Sequence, residues 1–299
     1  MHEILLYYKY TQIADPSEFC RAQRLLCEKL GLKGRIIIAP EGLNGTVEGL
    51  KENTQKYIDE MIKDPRFVEM NFKRSEGTGN AFPKLSVKTR SEIVSAHLGE
   101  EDVNPAVTTG KYLPAEELHN WIHSGKEFYI VDMRNDYEHS VGFFKNSILP
   151  PLKNFRDLPK ILPKLEHLKN KTVVTVCTGG VRCEKASGFL VTHGFKDVYQ
   201  LHNGIVSYME KYPDEDFAGK LYVFDGRVTM GFHSPKTKHE IVGRCRKCHT
   251  PNENFVNCLL PTCHDHFICC KNCLNKNGEP FCSWKCALKH KLRLLITAR

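Results

Sequence analysis

The sequence predicts an α/β domain with a parallel sheet flanked by helices, preceded by an α+β domain and followed by a small cysteine-rich module. Three observations carry this. Phe128–Val131 is an unbroken apolar run, and Thr172–Val176 and Val198–Leu201 are β-branched or largely apolar runs, all separated by helical stretches, as expected of parallel strands buried on both faces. Residues 1–95 alternate between strand and helix patterns. Nine of the 13 cysteines lie after residue 244. At 299 residues the chain has room for two or three domains of roughly 100–150 residues each.

The first domain is expected over residues 1–97. Ile4–Tyr10 reads as a strand. Asp15 caps a helix with Pro16 at its first position, an apolar stripe through Leu25, Leu26 and Leu30, and a stop at Gly31. Cys20 and Cys27 share a face of that helix and are expected in its core. Arg35–Ala39 is a second strand, with a turn expected at Asn44-Gly45 leading into Thr46-Val47-Glu48. A helix near Thr54–Lys63 and strands near Val68–Lys73 and Leu85–Lys88 complete the order βαββαβ, the pattern of a ferredoxin-like, split-βαβ fold. No catalytic cluster is evident in this half. An acidic linker broken by Pro105 spans residues 98–109, and the α/β domain is expected over 110–225.

Within that domain, Cys177-Thr178-Gly179-Gly180-Val181-Arg182 joins the strand ending at Val176 to a helix over Glu184–His193. Ligands bind beyond the carboxyl ends of parallel strands, which is where Cys177 falls. The paired glycines let the loop curl so that its N–H groups point inward, and the following helix adds its positive end. A cysteine in such a nest has a lowered pKa, and Arg182 adds fixed positive charge. Cysteine-dependent phosphatases space these residues as Cys-x5-Arg; the Cys-x4-Arg found here makes a tighter cradle, suited to a single bound sulfur. Cys183, at the first turn of the helix, is a second candidate thiol, either resolving a sulfur species on Cys177 or reacting itself. Loop geometry favours Cys177.

In residues 226–299 four cysteine pairs stand out: Cys245/Cys248, Cys258/Cys263, Cys270/Cys273 and Cys282/Cys286. These spacings let paired thiolates reach a tetrahedral ion, and eight ligands fill two closed, structural zinc sites, leaving Cys269 over. An iron–sulfur cluster is the other metal reading, and His249, His264, His266 and His290 are possible substitutes for single cysteines. Lys+Arg number 30 against 31 Asp+Glu through Asp225, and 13 against 4 beyond it, so the +8 net charge arises in the tail. A basic module of this kind points to nucleic acid. Phe281 and Trp284 are candidates to stack a base, with packing beside the metal the alternative for Trp284. No apolar run reaches the length of a membrane span and the N-terminus lacks a signal-peptide layout, so a cytoplasmic protein is expected.

The loop is similar to the active loop of rhodaneses. Asp132-x-Arg134 with Tyr137-Glu138, and Leu201-His202-Asn203-Gly204, resemble further signatures of that family, although Gly142-Phe143 replaces its usual Gly-His. Gly31–Ile36, Glu41–Thr46, Cys177–Ser187 and Phe217–Asp225 resemble the motifs of the bacterial TrhO (YceA) family of tRNA uridine hydroxylases. That resemblance implies tRNA as partner, molecular oxygen as co-substrate, and conversion of a wobble uridine to 5-hydroxyuridine; combined with the loop chemistry, Cys177 is expected to form a transient adduct with the base or to carry an oxidised sulfur species. The loop taken alone favours a different activity, sulfur transfer through a Cys177 persulfide, and a non-catalytic RNA-binding protein is the third class. The chain shows no Gly-rich nicotinamide or flavin fingerprint and no evident iron-binding triad, and no feature specifies an oligomeric state.

Overall fold

The computed structural model describes residues 1–232, 239–274 and 278–297. The N-terminal domain comprises β1 (His2–Tyr10), α1 (Pro16–Lys29), β2 (Lys33–Ala39), β3 (Gly42–Leu50), α2 (Lys51–Met61), β4 (Lys73–Gly77) and β5 (Leu85–Thr89). Its sheet has the order β4-β1-β3-β2-β5. The first four strands run antiparallel to their neighbours and β5 joins the edge parallel to β2. This is the ferredoxin-like arrangement with one strand added. The Asp15 carboxylate caps α1 by accepting from the N–H groups of Ser17 and Glu18 at 2.9 and 2.8 Å.

Two expected boundaries are corrected. No turn forms at Asn44-Gly45: β2 and β3 are joined through Pro40-Glu41, with Ala39 paired to Gly42, and Asn44-Gly45 lie inside β3. Gly45 is there for packing, since a Cβ at that position would fall 2.4 Å from Cζ of Tyr7. The strand expected from Val68 begins only at Lys73; Pro65–Phe67 is a short 3-10 turn that buries Phe67 and leaves Val68 exposed.

The middle domain runs through β6 (Lys111–Leu113), α3 (Ala115–His123), β7 (Tyr129–Asp132), α4 (Asp136–His139), β8 (Gly142–Phe144), α5 (Leu158–Leu165), β9 (Thr172–Val176), α6 (Val181–Thr192), β10 (Asp197–Leu201), α7 (Gly204–Lys211) and β11 (Phe217–Gly219). Its parallel sheet has the order β6-β10-β9-β7, with β8 and β11 forming a separate antiparallel pair. Alternate residues of β7 and β9 enter different cores. Val131 and Val173 pack with Phe189, Leu190 and Phe195 on one face. Ile130, Val174 and Val176 pack with Ile205, Tyr208 and Phe144 on the other.

β12 (Leu221–Tyr222) pairs with β13 (Thr229–Met230) at the start of the tail, which adds β14 (Phe255–Asn257), β15 (His266–Ile268) and α8 (Trp284–Thr297). Among the described residues no helix is long and apolar enough to cross a membrane.

The N-terminal sheet sits directly on the middle domain. On β1, Leu5 and Tyr7 enter the sheet's own core, while Leu6 joins the apolar cluster of the middle domain. The phenol of Tyr8 donates to Glu184 at 3.0 Å, and that of Tyr10 to the carbonyl of Val181 at 3.3 Å.

Candidate active site

The loop after β9 is shaped by close backbone approaches. Gly180 has φ +101°, and a Cβ there would lie 2.8 Å from the phenol oxygen of Tyr8. Gly204 has φ +75° and meets the loop even more closely; its Cβ would be 2.6 Å from both Gly179 C and Gly180 N. That proximity lets the first N–H groups of α7 hold the loop: Ile205 donates to the Cys177 carbonyl at 2.9 Å and Val206 to that of Thr178 at 3.1 Å. Gly204→Ala is therefore expected to lower stability by about 1–3 kcal/mol, read as a reduced denaturation midpoint, and to displace the loop.

α6 begins at Val181, immediately after the glycines, so Arg182 and Cys183 both occupy its first turn. The Gly180 N–H donates to Cys177 Sγ at 3.2 Å. Burial opposes ionisation of Cys177, but the Cys183 thiol, the Arg182 charge and the N–H groups of Cys183 and Arg182 outweigh it, holding its pKa well below the usual thiol value. Cys183 moves the other way: burial, together with the hydrogen bond it shares with Cys177, pushes its pKa up. Within the pair the surroundings favour the ionised form at Cys177 and the neutral thiol at Cys183.

Arg182 does more than face the anion. It forks onto Glu138, one guanidinium nitrogen reaching Oε1 and the other Oε2 at 2.8 Å, and it also lies 3.4 Å from Thr178 Oγ1. Glu138 is fully buried and completes a capping box with Asn135 at the start of α4. Beneath it, Arg134 forks onto Asp132 and donates to the Gly142 carbonyl at 2.7 Å. The acidic and basic residues flanking Tyr137 are thereby a scaffold for the loop. Glu138→Gln would leave the buried Arg182 without its counter-charge, at an expected cost of about 3–5 kcal/mol in urea denaturation.

Cys177 is 0% exposed, so the loop does not present its thiol to bulk solvent. It is roofed by β1, with Leu6 lying against Gly179 and Tyr8 against Gly180. Beside it opens a cleft of about 540 Å³, floored by Thr178, Gly179, Val181 and Arg182. Its opposite wall is the second face of the N-terminal sheet, where Arg35, Ile37, Asn44 and Thr46 alternate with core residues. Arg90, Phe155, Arg156 and Phe224 close the sides. Its size suits one nucleotide, and it brings four arginines and several apolar rings together. Lys73 lies near the loop, 7% exposed and 5.3 Å above the Tyr8 ring; burial lowers its pKa to about 8.

The N-terminal half was expected to carry no catalytic cluster. The structure makes it one wall of the cleft. The available signal was β1 itself: with Leu6, Tyr8 and Tyr10 on the face opposite Leu5 and Tyr7, the strand is apolar or aromatic on both faces, and both must be covered.

In the tail the cysteines interleave. Cys245, Cys248, Cys270 and Cys273 form one group and Cys258, Cys263, Cys282 and Cys286 the other, each with all ligand atoms within 4.8 Å. Cys248 and Cys270 sulfurs are 3.6 Å apart; in the second group the separations include 3.5, 3.4 and 3.7 Å. A tetrahedron with Zn–S bonds of about 2.3 Å has edges of about 3.8 Å, so both groups fit zinc. Cys269 is buried outside both groups, and His249, His264, His266 and His290 join neither. Phe281 is buried in the tail core, which removes it as a base-stacking residue, whereas Trp284 is 73% exposed rather than packed beside a metal group.

The parallel sheet, the nested cysteine and its Arg–Glu scaffold define a rhodanese-domain protein. Family models match in that sense: a UPF0176 acylphosphatase-like domain over residues 2–93, a rhodanese-like domain over 114–211 and a rhodanese C-terminal region over 218–287. The chain belongs to the tRNA uridine(34) hydroxylase family. It is 45% identical to a protein of that name from Cytophaga hutchinsonii, over 95% of this chain and 89% of that one. It is also 45% identical to a Bacillus cytotoxicus relative (90% and 82% covered) and 42% identical to one from Staphylococcus haemolyticus (97% and 90%), both bearing that name. Among solved structures, a rhodanese-like domain protein from Staphylococcus aureus is 30% identical, with a TM-score of 0.29, over 33% of this chain and 90% of that one.

Proposed function

We propose that this protein hydroxylates uridine 34 of tRNA at C5, with molecular oxygen as co-substrate and Cys177 as the reacting thiol. The observation that carries this reading is near full-length likeness to proteins named tRNA uridine(34) hydroxylase in a chain whose loop holds a thiolate beside a nucleotide-sized cleft. The uridine leaves the anticodon stack and enters the cleft, its neighbouring phosphates meeting Arg35, Arg90 and Arg156. The base reaches Cys177 when the Leu6–Tyr8 stretch of β1 yields.

The thiolate adds to C6 of uracil, and the C5–C6 electron pair moves toward O4, leaving C5 nucleophilic. C5 takes one oxygen atom and loses its proton, and the sulfur leaves C6 as the double bond returns. Placing one atom of dioxygen on C5 and reducing the other to water consumes two electrons and two protons. On closing to a disulfide the Cys177–Cys183 pair supplies both electrons and the Cys183 thiol one proton, solvent supplying the other; a cellular thiol reopens the disulfide. Such a cycle belongs in a reducing cytoplasm. Zinc in the two tail groups is structural, since four thiolates leave no open position.

The basic tail and exposed Trp284 add contacts to the RNA backbone. With six or more phosphates engaged, tRNA affinity should fall by roughly 10³-fold or more between about 50 and 200 mM salt. The function itself is tested by mass spectrometry of tRNA nucleosides from cells lacking the protein. Loss of 5-hydroxyuridine derivatives supports the reading; loss of thiolated nucleosides instead would assign sulfur transfer, and an unchanged profile would reject both.

A further inference from the structure

Away from the loop, the middle domain gathers a second set of donor atoms. His119 and His123 lie one turn apart on α3, so their rings project from the same face. Glu215 and Asp216, just before β11, meet them there. His119 Nδ1 is 3.3 Å from Asp216 Oδ2 and 3.7 Å from Glu215 Oε2, and His123 Nε2 is 3.2 Å from Asp216 Oδ1. One ligand atom from each of the four residues falls within 4.8 Å of the others. For bonds of 2.0–2.1 Å to nitrogen and oxygen, a tetrahedron has edges of about 3.4 Å. The three short contacts, at 3.2, 3.3 and 3.7 Å, bracket that edge.

We propose that His119, His123, Glu215 and Asp216 bind a divalent transition-metal cation, zinc being the best match to two imidazoles and two carboxylates. Three further observations support this. The Asp216 side chain is only 11% exposed and is oriented by the Tyr208 phenol, which donates to Oδ2. The His119 ring is stacked on Tyr212 at 3.9 Å with a 1° tilt, so its nitrogen is aimed before any ion arrives. Outer contacts of this kind orient metal ligands. The charge is also unbalanced: among the described residues no lysine or arginine pairs with either carboxylate, and a divalent cation cancels the two negative charges.

The ion would clamp α3 to the segment linking α7 with β11. Tyr208 lies one turn along α7 from Ile205, whose N–H holds the Cys177 carbonyl, so the clamp braces the helix that carries the active loop. With four protein ligands the site is closed and its role is structural.

The test is titration of Zn²⁺ into the full chain with its cysteine-bound metal in place, by calorimetry with elemental analysis. The proposal expects one further equivalent per chain. His123→Ala and Glu215→Gln, both at partly exposed positions, should each weaken that equivalent at least tenfold while the cysteine-bound metal stays. Loaded with Co²⁺, the site should show d–d bands without thiolate charge-transfer absorption. Equal uptake by wild type and His123→Ala, no uptake by wild type, or sulfur charge-transfer from the added equivalent would each overturn the proposal.

Discussion

Cys177→Ser should lower tRNA hydroxylation by a factor of 10³ or more while leaving the fold intact. Serine matches cysteine closely in shape, and the Gly180 N–H that meets the sulfur at 3.2 Å can meet a hydroxyl. What serine lacks is an ionised form near neutral pH, so addition to C6 loses its nucleophile. Cys183→Ser is expected to act differently. It keeps the nucleophile but replaces the thiol that does most to hold Cys177 ionised. The wild-type rate should rise with pH around a midpoint below the ~8.5 of a free thiol. In Cys183→Ser that midpoint should move upward, because a weakened stabilisation of the thiolate means deprotonation at higher pH. Without an added thiol the variant should complete no full turnover, since the second cysteine of the electron pair is gone, whereas the wild type completes one before its disulfide must be reopened. Single-turnover hydroxylation across pH, with and without added thiol and scored on purified tRNA, separates the two effects.

The second large effect is expected from the tail. Apart from its cysteines, the buried cluster there is little more than Leu260, Phe267 and Phe281, too small a core to order the module alone. Structural zinc contributes apparent free energies of roughly 10–16 kcal/mol in small modules. Stripping the metal, or Cys273→Ser, should therefore unfold the module around residues 245–286. The interleaving of the two groups makes the loss cooperative, because the two ligand pairs of each group flank a pair of the other. Limited proteolysis with zinc analysis should show fewer than two tightly held ions and rapid cleavage in the tail, while the two preceding domains resist. Full protection of a metal-free tail would contradict the assignment.

The fold was legible wherever one local pattern decided the outcome. Short β-branched and apolar runs placed β9 and β10, and Asp15 with Pro16 started α1 where the structure starts it. Asn44-Gly45 misled because glycine has two uses: here it admits the Tyr7 ring rather than turning the chain. The loop was legible as chemistry, since paired glycines followed by arginine have a local meaning. Its surroundings were not. That Arg182 is tied to Glu138, 44 residues earlier, and that Tyr8 roofs the loop from 169 residues away, are matters of domain packing with no short-range signature. The same holds for the histidines on α3, His119 and His123, whose carboxylate partner Asp216 lies over 90 residues on.

The central claim, that Cys177 adds to the uracil of residue 34, is tested most directly with tRNA carrying 5-fluorouridine at that position. Fluorine at C5 cannot leave as a proton does, so the sulfur–C6 bond should persist. Incubation with the full chain should give a covalent protein–RNA complex, and peptide mass spectrometry should place the nucleotide on Cys177. An adduct on Cys183, or hydroxylation of normal tRNA by an enzyme that forms no adduct with the fluorinated one, would contradict the account.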